Sequence, residues 1–147
     1  MKYLLDTCVF NWLVDKKINE EDLNKLIGNG VAIVTHIQID EINNTSDQER
    51  RARLSLVQAS LIKGVIPTET TVLDIARLGY SNLGNGILYS KIKMDLDQIR
   101  SKENNIQDAL IAETSIKNGY ILITADANLS IVTQKHGGQI HYYSSKP

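Results

Sequence analysis

Asp108-Ala-Leu-Ile-Ala112, then Tyr120-Ile-Leu-Ile-Thr124-Ala-Asp126: an apolar helical stretch entered on an acid and closed by Gly119, then a continuous apolar run that ends one residue short of another acid. A strand that is apolar on both faces is a strand covered on both faces, as in a parallel sheet flanked by helices. A helix leading into it is the crossover such a sheet requires. The same unit recurs upstream. Lys2 to Leu5 is a short strand, and Val9, Phe10, Leu13 and Val14 then fall at helical spacing. Asn19 to Ile27 reads as a helix with Glu20, Glu21 and Asp22 in its first turn and Gly28 to Gly30 beyond its end. Val31 to Val34 is a second uniformly apolar strand, and Thr35 caps a helix carrying Ile37, Glu41 and Ile42.

Further on, Leu54, Val57 and Leu61 mark a long helix, Gly64 to Pro67 a brief third strand, and Thr68 to Arg77 another helix. Gly79 to Gly86 reads as a loop, and Leu88, Ile92, Leu96 and Ile99 restore helical periodicity with Lys93 and Asp97 paired at i,i+4. Asn104 or Asn105 should cap the helix Ile106 to Lys117, Asp126 to Lys135 is a short helix, and Gln139 to Tyr143 a last strand. Strands alternating with amphipathic helices predict an α/β fold, a parallel sheet with helices on both faces. At 147 residues, 42% hydrophobic and 22% charged, a single domain spanning 1–147 is expected. Sixteen basic against seventeen acidic residues exclude a protein that coats nucleic acid through bulk charge. Cys8 stands alone, so neither an intramolecular disulfide nor a cysteine zinc cage is available. No signal-like leader or long apolar run appears, which points to a cytoplasmic protein without a membrane anchor.

Four carboxylates sit where strands hand over to helices or where helices begin: Asp6 after the first strand, Glu41 about two turns past the second, Asp108 opening a helix, Asp126 after the fourth strand. Open parallel sheets place their sites outside the carboxyl ends of their strands, so all four can reach one rim. Each alone has an ordinary explanation. Asp6 can be a plain N-cap, although Thr7 can take that duty and leave Asp6 free; Asp108 favours a helix dipole; Asp126 suits a turn. Asp40 competes with Glu41, and periodicity does not choose between them. The case rests on the set. Ionised carboxylates are acceptors only, and two charges ~4 Å apart repel by about 4 kcal/mol at an effective dielectric of 20. Magnesium or manganese between them relieves that repulsion; without metal, at least one carboxyl should titrate above its usual range.

The remaining candidates have plainer readings. Cys8 reads as a small buried filler, and His36, His136 and His141, which lack ligand spacing, read as solvated or capping residues. Leu83 to Gly86 lacks the lysine of a phosphate loop. Arg50, Arg51, Arg53 and Lys63 can contact a phosphate backbone but read first as a solvated face, as do Asp95 and Asp97.

Leu4-Leu-Asp6-Thr7, Thr35 with Glu41 six residues on, Asp108-Ala-Leu-Ile-Ala112 and Leu122-Ile-Thr124-Ala-Asp126 together resemble the PIN domain, particularly the VapC-like toxin nucleases of bacterial toxin–antitoxin pairs. The resemblance runs through nearly the whole chain in order and spacing. It implies a three-layer α/β/α sandwich around a mainly parallel sheet, and it selects Glu41 over Asp40. By the same resemblance Asp6, Glu41, Asp108 and Asp126 match an acidic quartet holding Mg2+ or Mn2+, and Thr124 the hydroxyl that supports it. Asn128 stands where many relatives carry a further aspartate, and the stretch 79–105 is longer and more polar than the family's minimal connection. The implied activity is a metal-dependent endoribonuclease acting on RNA, a homodimer silenced by an antitoxin. The alternative is a catalytically weak module that binds RNA or a regulatory partner. A phospho-aspartate mechanism ranks last, because no second aspartate stands two residues after Asp6.

Overall fold

A computed structural model describes residues 1–69 and 86–144. The described strands are β1 (Lys2–Leu5), β2 (Val31–Val34), β3 (Gly64–Val65), β4 (Ile121–Thr124) and β5 (Gln139–Tyr142). They form one sheet in the order β3-β2-β1-β4-β5, with every pair parallel. The described helices are α1 (Thr7–Val14), α2 (Glu20–Ile27), α3 (His36–Asn43), α4 (Gln48–Leu61), α5 (Ile87–Ile99), α6 (Asn105–Asn118) and α7 (Ala127–Lys135).

Alternation along each strand sends successive side chains to opposite faces. Leu5, Val34 and Ile123 therefore join one apolar cluster with Val9 and Phe10 of α1, Leu23 of α2 and Leu54 of α4. Leu4, Ile33 and Leu122 join the other, with Ile92 of α5, Leu110 of α6 and Leu129 of α7. The result is the expected three-layer sandwich. The sheet is wholly parallel, where the sequence had suggested mainly parallel. β3 stops at Val65, shorter than the run to Pro67, and the helix expected over 68–77 lies, after Thr68 and Glu69, outside the described residues. Thr68 and Glu69 themselves are not helical. In the 79–105 stretch, α5 takes up the part from Ile87 to Ile99 and buries Ile92 and Leu96, two of the four positions its periodicity marked, while Leu88 is half-buried and Ile99, at the end of the helix, is exposed. Among the described residues, no helix is long and apolar enough to cross a membrane.

Strand order fixes where a site can form. The chain leaves β1 toward β2 on one side and leaves β4 toward β5 on the other, so the connections diverge between β1 and β4, and a crevice opens at the carboxyl ends of those two strands. The Asp6 N–H extends this pairing, donating to the Ile123 carbonyl at 3.0 Å. Asp6 and Asp126 thus stand on the two banks of the crevice.

Candidate functional site

Asp6 is the N-cap of α1: its Oδ1 accepts the Thr7 N–H at 2.9 Å. The sequence had allowed Thr7 that duty. Instead Thr7 lies one residue inside the helix, and its hydroxyl reaches across to donate to Glu41 Oε1 at 3.0 Å. The other oxygen of Asp6, Oδ2, accepts from Thr124 Oγ1 at 2.9 Å and from Cys8 Sγ at 3.1 Å. Thr124 in turn accepts the Asp126 N–H at 3.0 Å, so one hydroxyl ties the end of β4 to the end of β1. Cys8 does more than fill space, because its sulfur also accepts the Ala125 N–H at 3.2 Å. No spacing rule marks it; only the adjacency of Cys8 to Asp6 could have.

Glu41 is carried by α3, whose start is fixed by a capping box. Thr35 Oγ1 accepts the Ile37 N–H at 3.1 Å while Gln38 Oε1 accepts the Thr35 N–H at 2.9 Å. The amide of the buried Gln38 then donates to the Leu5 carbonyl at 3.0 Å and pins α3 over the end of β1. Asp108 comes from the first turn of α6. Neither asparagine caps that helix with its side chain: Asn104 makes no cap bond, and Asn105 instead donates to Asp97 Oδ1 and the Arg100 carbonyl, both at 2.8 Å. Asp126 is the N-cap of α7, with Oδ1 accepting the N–H groups of Asn128 at 2.9 Å and Leu129 at 3.1 Å.

The four carboxylates form one electrostatic cluster. Burial, and then the Asp6 charge, push Glu41 from the ordinary 4.5 to about 7, against the opposing Thr7 hydrogen bond. Burial, and then Asp6, push Asp108 to about 8, with further upward contributions from Asp126 and Glu41 and a downward one from Lys102. Asp6, with only 6% of its surface exposed, is raised mainly by burial, while its hydrogen bonds to Cys8 and Thr124 oppose the rise. Burial and the neighbouring Asp6 charge also push the Cys8 thiol well above its usual range. The elevated carboxyls follow from desolvation plus mutual repulsion. Among the described residues, no three His, Cys, Asp or Glu side chains converge to metal-ligand spacing, so the group is a charge cluster and not a closed cage. Its donor chemistry still suits a hard divalent cation: carboxylate oxygens, of which those of Asp6, Glu41 and Asp108 are costly to ionise without a cation and favoured in ionised form beside one.

A cation that the sequence did not single out stands among these acids. Lys102 Nζ lies 3.7 Å from Asp108 Oδ2 and 3.6 Å from Asp126 Oδ2. The arginines it did single out are engaged elsewhere. Arg50 holds Asp15 through two contacts at 2.7 and 3.1 Å, Arg53 pairs with Glu49, and Arg51 donates to the Thr45 carbonyl. Asp95 and Asp97 are paired too, with His136 at 2.7 Å and with Lys93 at 2.7 Å, so neither is merely solvated. His136 is the C-cap of α7, as a capping role requires, whereas His36 is buried at the start of α3 and so is not solvated.

Residues 3–135 match the family model for the PIN domain. Comparison with curated protein sequences finds no match. Among solved structures, the fold is similar to a chain of VapBC2 from Rickettsia felis bound to a promoter DNA fragment, at 16% identity and TM-score 0.64, covering 98% of this chain and 100% of that one. It is also similar to a chain of DNA-bound VapBC from Salmonella typhimurium, at 15% identity and TM-score 0.63, covering 97% and 98%. A third likeness is to VapBC-1 from nontypeable Haemophilus influenzae, at 19% identity and TM-score 0.61, covering 98% of both chains.

Proposed function

The chain belongs to the PIN domain family, a family of nucleases, and from that premise we propose that it is a divalent-metal-dependent endoribonuclease hydrolysing RNA phosphodiester bonds. The observation that carries this reading is the electrostatic coupling of Asp6, Glu41, Asp108 and Asp126, which come from four separate segments, with Glu41 and Asp108 pushed to about 7 and 8. A fold keeps mutually repelling, desolvated carboxyls at a cost to stability, and perturbed groups of this kind concentrate at functional sites.

Asp6, Glu41 and Asp108 would hold Mg2+ or Mn2+, with Asp126 completing the rim. Bound there, such an ion supplies Lewis acidity, which makes water a nucleophile near neutral pH and offsets charge on the phosphate. The chain's own residues supply orientation. Thr124 fixes Asp6 and the Asp126 backbone together, Cys8 holds the same Asp6 oxygen, and Thr7 aims Glu41. Such outer contacts set the direction and ionisation of the carboxylates they hold. In the same reading the partner is an antitoxin protein that silences a homodimeric toxin, a proposal supported by family membership and by the likeness to VapBC structures.

Purified protein should cleave RNA in Mn2+ and stop in excess chelator, and Asp6→Asn should be inactive in both. Equal cleavage by wild type and Asp6→Asn, or in chelator, contradicts the proposal. Asn128, a neutral side chain two residues after Asp126, favours a second reading in which the domain binds RNA or a partner without competent catalysis. In that case wild type binds Mn2+ no better in calorimetry than the Asp6→Asn, Asp108→Asn double variant.

A further inference from the structure

Lys102 is set into the acidic site by the turn that joins α5 to α6. Its carbonyl accepts the Asn105 N–H at 3.2 Å, and the buried Asn105 side chain clamps the same turn through the Arg100 carbonyl and Asp97. The Lys102 side chain is about one-third exposed, at 34%, and its ammonium bridges two carboxylates from different helices. Both spacings exceed hydrogen-bond length, so the N–H donors of the ammonium are not closed on these acids and can reach a third acceptor. Asp126 has little else to offer the crevice. Its Oδ1 is committed to two backbone N–H groups of α7, and Oδ2 is the oxygen that faces Lys102.

We infer that Lys102 is the built-in cation between Asp108 and Asp126: it takes the place a second divalent ion would need there, leaves one ion to Asp6, Glu41 and Asp108, and presents its ammonium to a phosphate oxygen of the RNA. The inference rests on the metal-dependent nuclease reading and deepens it. An ammonium and a divalent ion repel, so both cannot sit between the same two carboxylates. Neutralising that pair from within the chain replaces one of the two charges that a paired-ion phosphodiester site supplies.

The test is a Mn2+ titration of the full chain, followed by electron paramagnetic resonance of the free ion, beside Lys102→Met and Lys102→Arg. Wild type and Lys102→Arg should each take up one Mn2+, and Lys102→Met two. Cleavage gives a second readout. The wild-type rate should rise with the first power of limiting Mn2+. Lys102→Met should be slower by about 100-fold there, the scale of removing one charge-stabilising donor, should rise with the square of Mn2+, and should recover at high Mn2+. Wild type taking up two ions, Lys102→Met taking up no more than wild type, or the two cleaving alike at every Mn2+ concentration overturns the role of Lys102. Cleavage that Asp6→Asn abolishes in the same series leaves the nuclease reading standing on its own, whereas wild type that never cleaves removes that reading.

Discussion

Glu41→Gln should stabilise the metal-free protein, and the gain should grow with pH. The substitution keeps an oxygen to accept from Thr7 but removes a charge that burial and Asp6 both penalise. Glu41 is pushed from 4.5 to about 7, so the folded state holds this proton more tightly than the unfolded chain does. Its favourable contribution is fully present below about 4.5 and is lost as pH rises through 7, where folding must accept an ionised, buried carboxylate. The accumulated penalty above pH 7 is on the order of 3 kcal/mol, from about 1.4 kcal/mol per tenfold change in proton affinity. In urea unfolding with chelator, Glu41→Gln should therefore match wild type near pH 4.5 and exceed it by about that amount at pH 8. For a chain of this size this is a Tm higher by roughly 6–12 °C. In saturating Mn2+ the order should reverse, because the variant loses a ligand and with it part of the stabilisation that binding confers. A Glu41→Gln effect that is flat with pH, or destabilising at pH 8 in chelator, refutes the charge-cluster reasoning.

Other outcomes follow from single contacts. Cys8, held between Asp6, Thr124 and the Ala125 N–H and with its thiol pushed well above the usual range, should resist iodoacetamide at pH 8 in native protein and react once urea unfolds it; rapid native alkylation would mean this sulfur is not in the site as described. Gln38→Ala should destabilise by about 2–3 kcal/mol in chemical unfolding, because it orphans the buried Leu5 carbonyl and the Thr35 N–H at once. A loss under 0.5 kcal/mol would mean that α3 is not pinned to β1 through this amide.

The elements that could be read in advance are those whose signal is local. Val31–Val34 is apolar throughout, Ile121–Thr124 is apolar up to its last residue, and both strands pair on both sides within the sheet, so composition alone marks them as buried strands. Helix ends were legible where a chemical group fixes them, as with Glu20, Glu21 and Asp22 in the first turn of α2 and Gly119 after α6, which adopts the left-handed φ of 68° that glycine tolerates. The site was legible only in part. The acids announce themselves by standing at strand ends, but whether Asp6 or Thr7 caps α1 turns on one residue of phase, and Thr7's contact with Glu41 spans 34 positions, which no local pattern encodes. Lys102 escaped notice for the same reason. It lies in a polar turn that reads as solvated, and only packing of α5 against α6 and α7 brings it to Asp108 and Asp126. Asn105 looked like a cap because asparagine favours that position, yet the Arg100 carbonyl and Asp97 compete for its amide and win.

Crystals soaked in Mn2+ and measured for anomalous scattering show whether these carboxylates hold a metal ion. The expected result is a peak bounded by the carboxylates of Asp6, Glu41 and Asp108 that disappears in Asp6→Asn. A soaked crystal with no peak at this crevice, or with one that survives unchanged in Asp6→Asn, contradicts it.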